Sequence, residues 1–340
     1  MIVFRGIARR HRWLALAPLL LAAAPLPTVP LGADLDRFAY PYPLHWYAAR
    51  SEGAAVRMAY LDVAPTAAAN GRVVVLLHGK NFCAATWGET ARALAAKGYR
   101  VIAPDQIGFC KSSKPAGYQY SVAALATLTR DLLAKAGVER PILVGHSTGG
   151  LIAMRFALLY PDRLARLVLV NPLGLSDPLA QGVPYADLDT LRAEEARTDA
   201  ASIAAYQRKT YYHGTWRPAY DRWVAMLAGQ YASVDGDRVR DAQARLSEMI
   251  ETQPVASELP RIAVPTVLII GQADITAFRA SSAPATVRGA VQTVPQAAED
   301  AVVSIPRARM IRLTGLGHAP QIEAPDRFRS ALIDALEGRE

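Results

Sequence analysis

The sequence predicts an α/β protein with a mostly parallel sheet, helices on both faces of the sheet and one inserted helical cap. Three observations predict this fold class: short β-branched apolar runs recur along the chain, helical patterns separate them, and the alternation stops between about residues 176 and 259. Of the 340 residues, 51% are apolar and 20% are charged, so the chain can bury a large core. This composition excludes a disordered protein.

Six apolar runs are predicted to be strands buried on both faces, because such strands are nearly continuous in apolar residues. They lie at residues 73–77, 100–103, 142–144, 167–170, 266–270 and 310–313. Residues 46–50 and 56–63 are predicted to be antiparallel edge strands that lead into the sheet. The helical patterns between the runs cover residues 85–97, 121–136 and 149–160.

The insertion at residues 176–259 is predicted to be a helical cap. It follows the strand that ends at Asn171, so it should lie over the carboxyl ends of the strands, where α/β sheets bind ligands. Some of its aromatic residues should line a pocket for an apolar or aromatic group, and others should pack the cap: Tyr185, Tyr206, Tyr211, Tyr212, Trp216, Tyr220, Trp223 and Tyr231. The core is then divided into residues 34–175 and 260–340.

Residues 1–33 have the layout of a secretory signal peptide, with a block of arginines, a short apolar run and small residues after it. An uncleaved membrane anchor and a disordered leader are the alternatives. Cleavage after Ala24 and cleavage near Ala33 both remain open, and Arg9-Arg10 is a weak indication of twin-arginine export. We expect an exported protein, either periplasmic or secreted.

The formal net charge of +8 suggests at first a nucleic-acid partner. Residues 1–33 contain four arginines and no acidic residue, which leaves 34 basic and 30 acidic residues in the rest of the chain. That balance is ordinary for a globular chain of about 300 residues, so no nucleic-acid partner is predicted. No second run of 18 apolar residues occurs, and therefore no membrane span is predicted in the mature chain.

Ser147 is the predicted nucleophile. It lies between Gly145 and Gly149, directly after a predicted strand and at the start of a helix. A serine on such a tight turn projects from the sheet, and the flanking glycines let strand and helix approach closely. The Thr148 amide, at the helix N-terminus, can stabilise a developing oxyanion. The alternative is a glycine-rich turn with a serine cap.

A serine hydroxyl needs a base, and His318 is the best candidate among six histidines because it follows the last predicted strand. Asp274 follows the strand at 266–270 and is the predicted carboxylate that orients the base. Asp177 is the alternative carboxylate, and a role only as a helix cap is the alternative for Asp274.

These residues resemble those of serine hydrolases with the α/β-hydrolase fold, over roughly residues 45–340. The resemblance rests on the motifs already named and on two more, His78-Gly79 and the segment from Asp105 to Phe109. It implies that the Lys80 and Thr148 amides form the oxyanion hole. It also implies that His78 and Asp105 brace the loops around it.

The short loop after His78-Gly79 and the helical cap are similar to those of epoxide hydrolases, haloalkane dehalogenases, cofactor-free haloperoxidases and carbon–carbon bond hydrolases. Ser147 argues against the first two families, which use an aspartate nucleophile. The loop from Lys80 to Phe82 does not resemble the glycine-rich loop of the carbon–carbon hydrolases. The Lys80 side chain is expected to point to solvent, and recruitment of an anionic substrate is the alternative.

Cys83 and Cys110 are the only cysteines, and they follow strands that are neighbours in the hydrolase sheet. Because an exported chain meets an oxidising compartment, we predict a disulfide between them. Two separate buried thiols are the alternative.

The sequence therefore predicts a serine hydrolase that cleaves a carboxylic ester of a small, apolar or aromatic substrate through an acyl-enzyme. No cofactor or metal is expected, because the motifs that bind phosphate or zinc are absent from the sequence. The same triad can serve perhydrolysis, amide cleavage or carbon–carbon cleavage. A ligand receptor with a slow hydrolase site is the alternative from another class.

Overall fold

The computed structural model describes Ile2 and residues 28–338. One sheet of eight strands has the order β1-β2-β4-β3-β5-β6-β7-β8. The strands are β1 (Leu44–Ser51), β2 (Ala54–Val63), β3 (Val73–Leu77), β4 (Arg100–Pro104), β5 (Ile142–His146), β6 (Arg166–Val170), β7 (Thr266–Gly271) and β8 (Ala308–Leu313). Strand β2 is antiparallel to β1 and β4, and the other pairs are parallel, which confirms the predicted mostly parallel sheet.

Helices cover both faces of this sheet and form the inserted cap. They are α1 (Gly88–Ala95), α2 (Val122–Lys135), α3 (Thr148–Leu159), α4 (Leu188–Ala196), α5 (Ala200–Tyr206), α6 (Asp221–Tyr231), α7 (Gly236–Thr252), α8 (Ala285–Arg288), α9 (Val294–Ser304), α10 (Pro320–Glu323) and α11 (Pro325–Glu337). Within residues 28–338, no helix is both long and apolar enough to cross a membrane.

The two faces of the sheet bury separate cores. In β3, Val75 and Leu77 join the core beneath α2 and α3, whereas Val74 and Leu76 join the core beneath α1 and α11. Successive side chains of a strand point to opposite faces, so a strand between two cores needs an apolar residue at every position. This requirement explains the continuous apolar runs of the sequence.

The cap consists of α4 to α7, between β6 and β7. Residues 31–35, which precede the sheet in the chain, pack against the cap. The Leu31 amide donates to the Gly229 carbonyl at 2.9 Å, and Leu35 is buried in a core that includes cap residues. Asp34 forms ion pairs with Lys114 at 3.0 Å and with Arg238 at 3.1 Å. The predicted signal peptide lies outside the described residues, apart from Ile2 and residues 28–33.

Candidate active site

Ser147 lies on the turn between β5 and α3 with φ of 53° and ψ of −120°, a conformation that is strained for a residue with a side chain. Its neighbours must be small. A Cβ on Gly145 would collide with the Gly149 carbonyl, and a Cβ on Gly149 would collide with the Leu77 carbonyl of β3. The glycines that flank Ser147 therefore let the turn pack tightly against the sheet and hold the serine in this conformation.

A line of hydrogen bonds joins three predicted site residues. His318 Nε2 lies 2.9 Å from Ser147 Oγ, and His318 Nδ1 lies 2.7 Å from Asp274 Oδ2. All three residues are buried. The loops after β5, β7 and β8 bring them together because the carboxyl ends of parallel strands meet at one edge of the sheet.

Asp274, rather than Asp177, is the carboxylate at this site. Its Oδ1 accepts from the Thr276 amide at 2.8 Å, so the same side chain also fixes its own loop. Asp177 instead accepts from the Ala180 amide at 3.1 Å and caps a local turn.

Asn171 is a site residue that the sequence analysis did not identify. It follows β6 directly, and its Nδ2 donates to Asp274 Oδ2 at 2.7 Å while its Oδ1 accepts from the Gly271 amide at 3.0 Å. Its φ of 40° is tolerated better by asparagine than by most residues. The signal in the sequence was its position, directly after a buried strand like the other site residues.

His146 is the second residue that was missed. Its Nε2 donates to the carbonyl of His318 at 2.8 Å. Burial, and then the proximity of His318, hold the pKa of His146 well below its ordinary value. His146 is therefore neutral, and it fixes the backbone of the loop that carries His318.

Two residues next to Ser147, Thr148 in the chain and Lys80 across the cavity, have backbone amides without a partner in the described part of the protein. Thr148 is the first residue of α3, where helical N–H groups have no partner within the helix. Lys80 is in the loop after β3, and within the described residues neither amide donates to a protein acceptor. Gly79 permits this arrangement, because a Cβ there would lie 2.9 Å from the Cβ of Ser147.

His78 and Asp105 hold the loops around these amides. His78 Nε2 accepts from the Gln106 amide at 3.1 Å, and burial lowers the pKa of His78, so its ring is neutral. Asp105 accepts from the Ala84 amide at 2.8 Å and from the Tyr40 hydroxyl at 2.7 Å. The loop after β3 is thus tied to the loop after β4.

A disulfide joins Cys83 to Cys110, with 5.9 Å between their Cα atoms. It links the same two loops, as the sequence analysis predicted. Together with Asp105, these cysteines are the only group within the described residues that is close enough to hold a metal ion. The sulfurs are bonded to each other and Asp105 already accepts three hydrogen bonds, so the group does not have the thiolates that a metal site would use.

A cavity of about 320 Å³ opens beside Ser147 and His318, beneath the cap. Of the eight cap aromatics, Tyr206, Tyr211 and Tyr231 line it. Tyr212 and Tyr220 instead stack on each other with ring centroids 3.7 Å apart. The aromatic residues of the cap therefore divide into those that line the cavity and those that pack, as expected.

Tyr211 contacts the proposed base directly. Its ring centroid lies 4.8 Å from that of His318, and its hydroxyl accepts from Asn81 Nδ2 at 2.8 Å. Burial raises the pKa of Tyr211 well above its ordinary value, so the phenol stays protonated. The ring that packs against His318 is therefore uncharged.

The expectation that the Lys80 side chain points to solvent was wrong. Its Nζ lies 2.6 Å from Glu195 Oε1 of the cap helix α4. Glu195 Oε2 accepts from the Tyr231 hydroxyl at 2.8 Å. The side chain turns under the cap because a buried carboxylate is available there.

Comparison with known proteins is consistent with this geometry. Residues 72–325 match the model of a family described as alpha/beta hydrolase fold. A crystal structure of a probable hydrolytic enzyme from Pseudomonas aeruginosa PAO1 is 49% identical, covers 91% of this chain and 99% of its own, and superposes with a TM-score of 0.89.

Two curated relatives extend the comparison. The chain is 30% identical over 268 residues to a putative carbamate hydrolase of Stutzerimonas stutzeri. This alignment covers 77% of this chain and 91% of that protein. It is 42% identical to an uncharacterised protein of Mycobacterium tuberculosis over 109 residues, or 32% of this chain. The chain therefore aligns with only 31% of the length of the mycobacterial relative.

Proposed function

Because the chain belongs to the alpha/beta hydrolase fold family, we propose that it is a serine hydrolase that cleaves a carboxylic ester through an acyl-enzyme. The observation that supports this most strongly is the line of hydrogen bonds from Asp274 through His318 to Ser147. At its Ser147 end lie the backbone amides of Lys80 and Thr148, and Ser147 and His318 line the cavity. An acyl-transfer site needs a nucleophile, a base and oxyanion donors in this relative arrangement.

In the proposed reaction, Ser147 Oγ attacks the ester carbonyl while His318 Nε2 takes the hydroxyl proton. Asp274 keeps the other imidazole proton on Nδ1 and stabilises the imidazolium that forms. The oxyanion of the tetrahedral intermediate accepts from the Lys80 and Thr148 amides. Collapse of the intermediate breaks the bond to the alcohol, which leaves with the proton from His318.

Hydrolysis of the acyl-enzyme repeats these steps with water. His318 takes a proton from water as its oxygen attacks the acyl carbonyl. The second tetrahedral intermediate then breaks its bond to Ser147 Oγ, which recovers a proton from His318. One ester and one water are thus converted into one acid and one alcohol, and the enzyme is restored.

Cleavage of a carbamate is the second candidate, since the relative from Stutzerimonas stutzeri aligns over 77% of this chain. The same serine, base and oxyanion donors serve both reactions, so only a comparison of activity on different substrates separates the two candidates. Ethyl butanoate, N-ethylbutanamide and ethyl carbamate are a suitable set, assayed by release of butanoic acid, ethylamine and ammonia, respectively.

We expect kcat/KM to be highest for ethyl butanoate and turnover to be lost in Ser147→Ala. Faster turnover of ethyl carbamate would favour the second candidate. Ser304→Ala is the matched control, because Ser304 is exposed on α9, where its hydroxyl donates to the Asp300 carbonyl.

We also propose that the chain is exported, as its first residues predict. The packing of residues 31–35 against the cap favours cleavage after Ala24 over cleavage near Ala33, since the later cut would remove Leu31 and its hydrogen bond to Gly229. Mass spectrometry of the exported chain should give an N-terminus before Leu31. An N-terminus at Asp34 would contradict this proposal.

A further inference from the structure

The cavity beside Ser147 has a polar wall that the proposed reaction does not use. Lys80, Glu195 and Tyr231 form it, and all three line the cavity. The ammonium of Lys80 and the carboxylate of Glu195 lie 2.6 Å apart, with side chains that are only 18% and 11% exposed. Burial of an ion pair costs desolvation free energy, whereas apolar side chains of similar volume would fill the same space without that cost. Packing alone therefore does not explain the pair.

The ammonium of Lys80 retains donors for a ligand. An ammonium has three N–H groups, and within the described residues only Glu195 accepts from it. Glu195 differs, because one oxygen accepts from Lys80 and the other from the Tyr231 hydroxyl. The wall therefore offers the remaining N–H groups of Lys80 to the cavity, whereas both carboxylate oxygens of Glu195 already accept hydrogen bonds.

The charges of the wall cancel. Arg240 lies behind it, with its guanidinium 4.3 Å from the Tyr231 ring centroid, and it donates to the backbone carbonyls of Glu195 and Thr198 rather than lining the cavity. A substrate carboxylate placed on Lys80 would therefore also lie close to the carboxylate of Glu195. An uncharged oxygen would gain the hydrogen bond without this repulsion.

We propose that Lys80, Glu195 and Tyr231 form a polar subsite that binds an uncharged oxygen of the substrate, such as a ketone, ether or hydroxyl oxygen. This inference rests on the proposed function, and it specifies the substrate class of the same site. The apolar part of the substrate lies against the other side chains of the cavity, which include Leu173, Leu227 and Phe278. The substrate is thus an apolar or aromatic ester, as the sequence suggested, that also carries one uncharged polar group.

Two series of matched esters test this subsite on either side of the scissile bond. On the acyl side, ethyl levulinate, ethyl pentanoate and monoethyl succinate carry a ketone, a methylene and a carboxylate at the corresponding position. On the alcohol side, 2-methoxyethyl butanoate, butyl butanoate and 2-carboxyethyl butanoate carry an ether oxygen, a methylene and a carboxylate at the corresponding position. Acid release at constant pH measures kcat/KM for each ester, in the wild type and in variants.

Lys80→Met removes the ammonium but keeps the backbone amide. In at least one series, the ratio of kcat/KM for the polar ester to that for the apolar ester should fall about tenfold, as expected for loss of a hydrogen bond to a charged group. Because each ratio is compared between enzymes, differences in intrinsic ester reactivity cancel. A change below about twofold in both series would overturn the proposal.

Glu195→Gln keeps the shape of the wall but leaves the charge of Lys80 unbalanced. In the series that responds to Lys80→Met, the ratio for the carboxylate ester over the uncharged polar ester should rise about tenfold. Misfolding cannot produce such a gain. If Lys80→Met lowers the ratio of kcat/KM for the carboxylate ester to that for the apolar ester more than it lowers the ratio for the uncharged polar ester, the proposal is overturned in favour of an anionic substrate.

Glu194→Gln is the matched control. Glu194 is the adjacent residue and pairs with Arg279 at 2.6 Å, outside the cavity, so its loss removes the same charge but should leave every ratio unchanged. The proposed function has its own readout in these assays. If the wild type hydrolyses none of the esters, the esterase proposal fails; if it hydrolyses them and the ratios do not respond, only the subsite fails.

Discussion

His146 donates a hydrogen bond from Nε2 to the backbone carbonyl of His318, so a second buried imidazole holds the loop of the proposed base. We expect His146→Ala to lower kcat by about tenfold to a hundredfold, because a small displacement of the base is costly. His146→Gln, which can restore the hydrogen bond, should recover part of the loss.

The pH profile of the His146 variants separates this positioning role from a role in proton transfer. The pKa of His146 is held well below its ordinary value by burial, so its ring stays neutral in the working range of the enzyme. The acidic midpoint of kcat/KM should therefore be the same in His146→Gln as in the wild type. A shifted midpoint would mean that His146 itself titrates in the reaction.

Asn171 fixes the carboxylate of Asp274 from the end of β6. We expect Asn171→Ala to reduce kcat by about tenfold, because Asp274 loses a donor and the orientation of His318 becomes less precise. Asn171→Asp has the same shape but places a second carboxylate against Asp274, so its kcat should fall further. Steady-state kinetics compare the two variants, and equal activity of Asn171→Ala and wild type would refute this role.

The Cys83–Cys110 disulfide should stabilise the fold. It closes a loop with a sequence separation of 27, for which loop entropy suggests about 3.5 kcal/mol. The double variant with Ser at both positions should lose about this free energy of unfolding in urea titrations. Adding reductant should destabilise the wild type but leave the double variant unchanged, and a wild type that is insensitive to reductant would contradict the account.

Asp34 neutralises Lys114, whose side chain is fully buried. Burial opposes ionisation of Asp34, but Lys114 and Arg238 outweigh it and hold the pKa of Asp34 below its ordinary value. A carboxylate whose pKa is lower in the folded than in the unfolded state contributes to the free energy of unfolding at pH above the unfolded-state pKa. This contribution disappears as the pH falls through the folded-state pKa.

Asp34→Asn should therefore lower the melting temperature at neutral pH, and the difference from wild type should shrink in acid. The exposed neighbour provides the control, because Asp36→Asn should have little effect at either pH. Thermal unfolding at several pH values measures both variants. A difference that grows as the pH falls would contradict this interpretation.

The sequence was informative where function depends on strand ends. Ser147, Asp274 and His318 each follow an apolar run, and a parallel sheet brings such positions to one edge regardless of how the cap folds. The loop after β3 that carries Lys80 could be placed for the same reason. The positions of the strands and of the covering helices along the chain also follow from patterns that are local in the sequence, whereas the order of the strands in the sheet does not.

Contacts made by the cap could not be predicted in this way. The interpretation of Lys80 was wrong because its partner Glu195 lies 115 residues further along the chain, on a helix whose position over the sheet has no signature in sequence periodicity. His146 and Asn171 were missed because each acts through a single hydrogen bond to another site residue. Such roles depend on distances that a sequence pattern does not specify.

Labelling with a fluorophosphonate tests the central claim most directly, because this probe forms a covalent bond with an activated serine. The account predicts one adduct per chain, located at Ser147 by peptide mass spectrometry. Labelling should be lost in Ser147→Ala, greatly slowed in His318→Ala, and unchanged in the control Ser304→Ala. An unlabelled wild type, or an adduct that persists in Ser147→Ala, would contradict the assignment of Ser147 as the nucleophile.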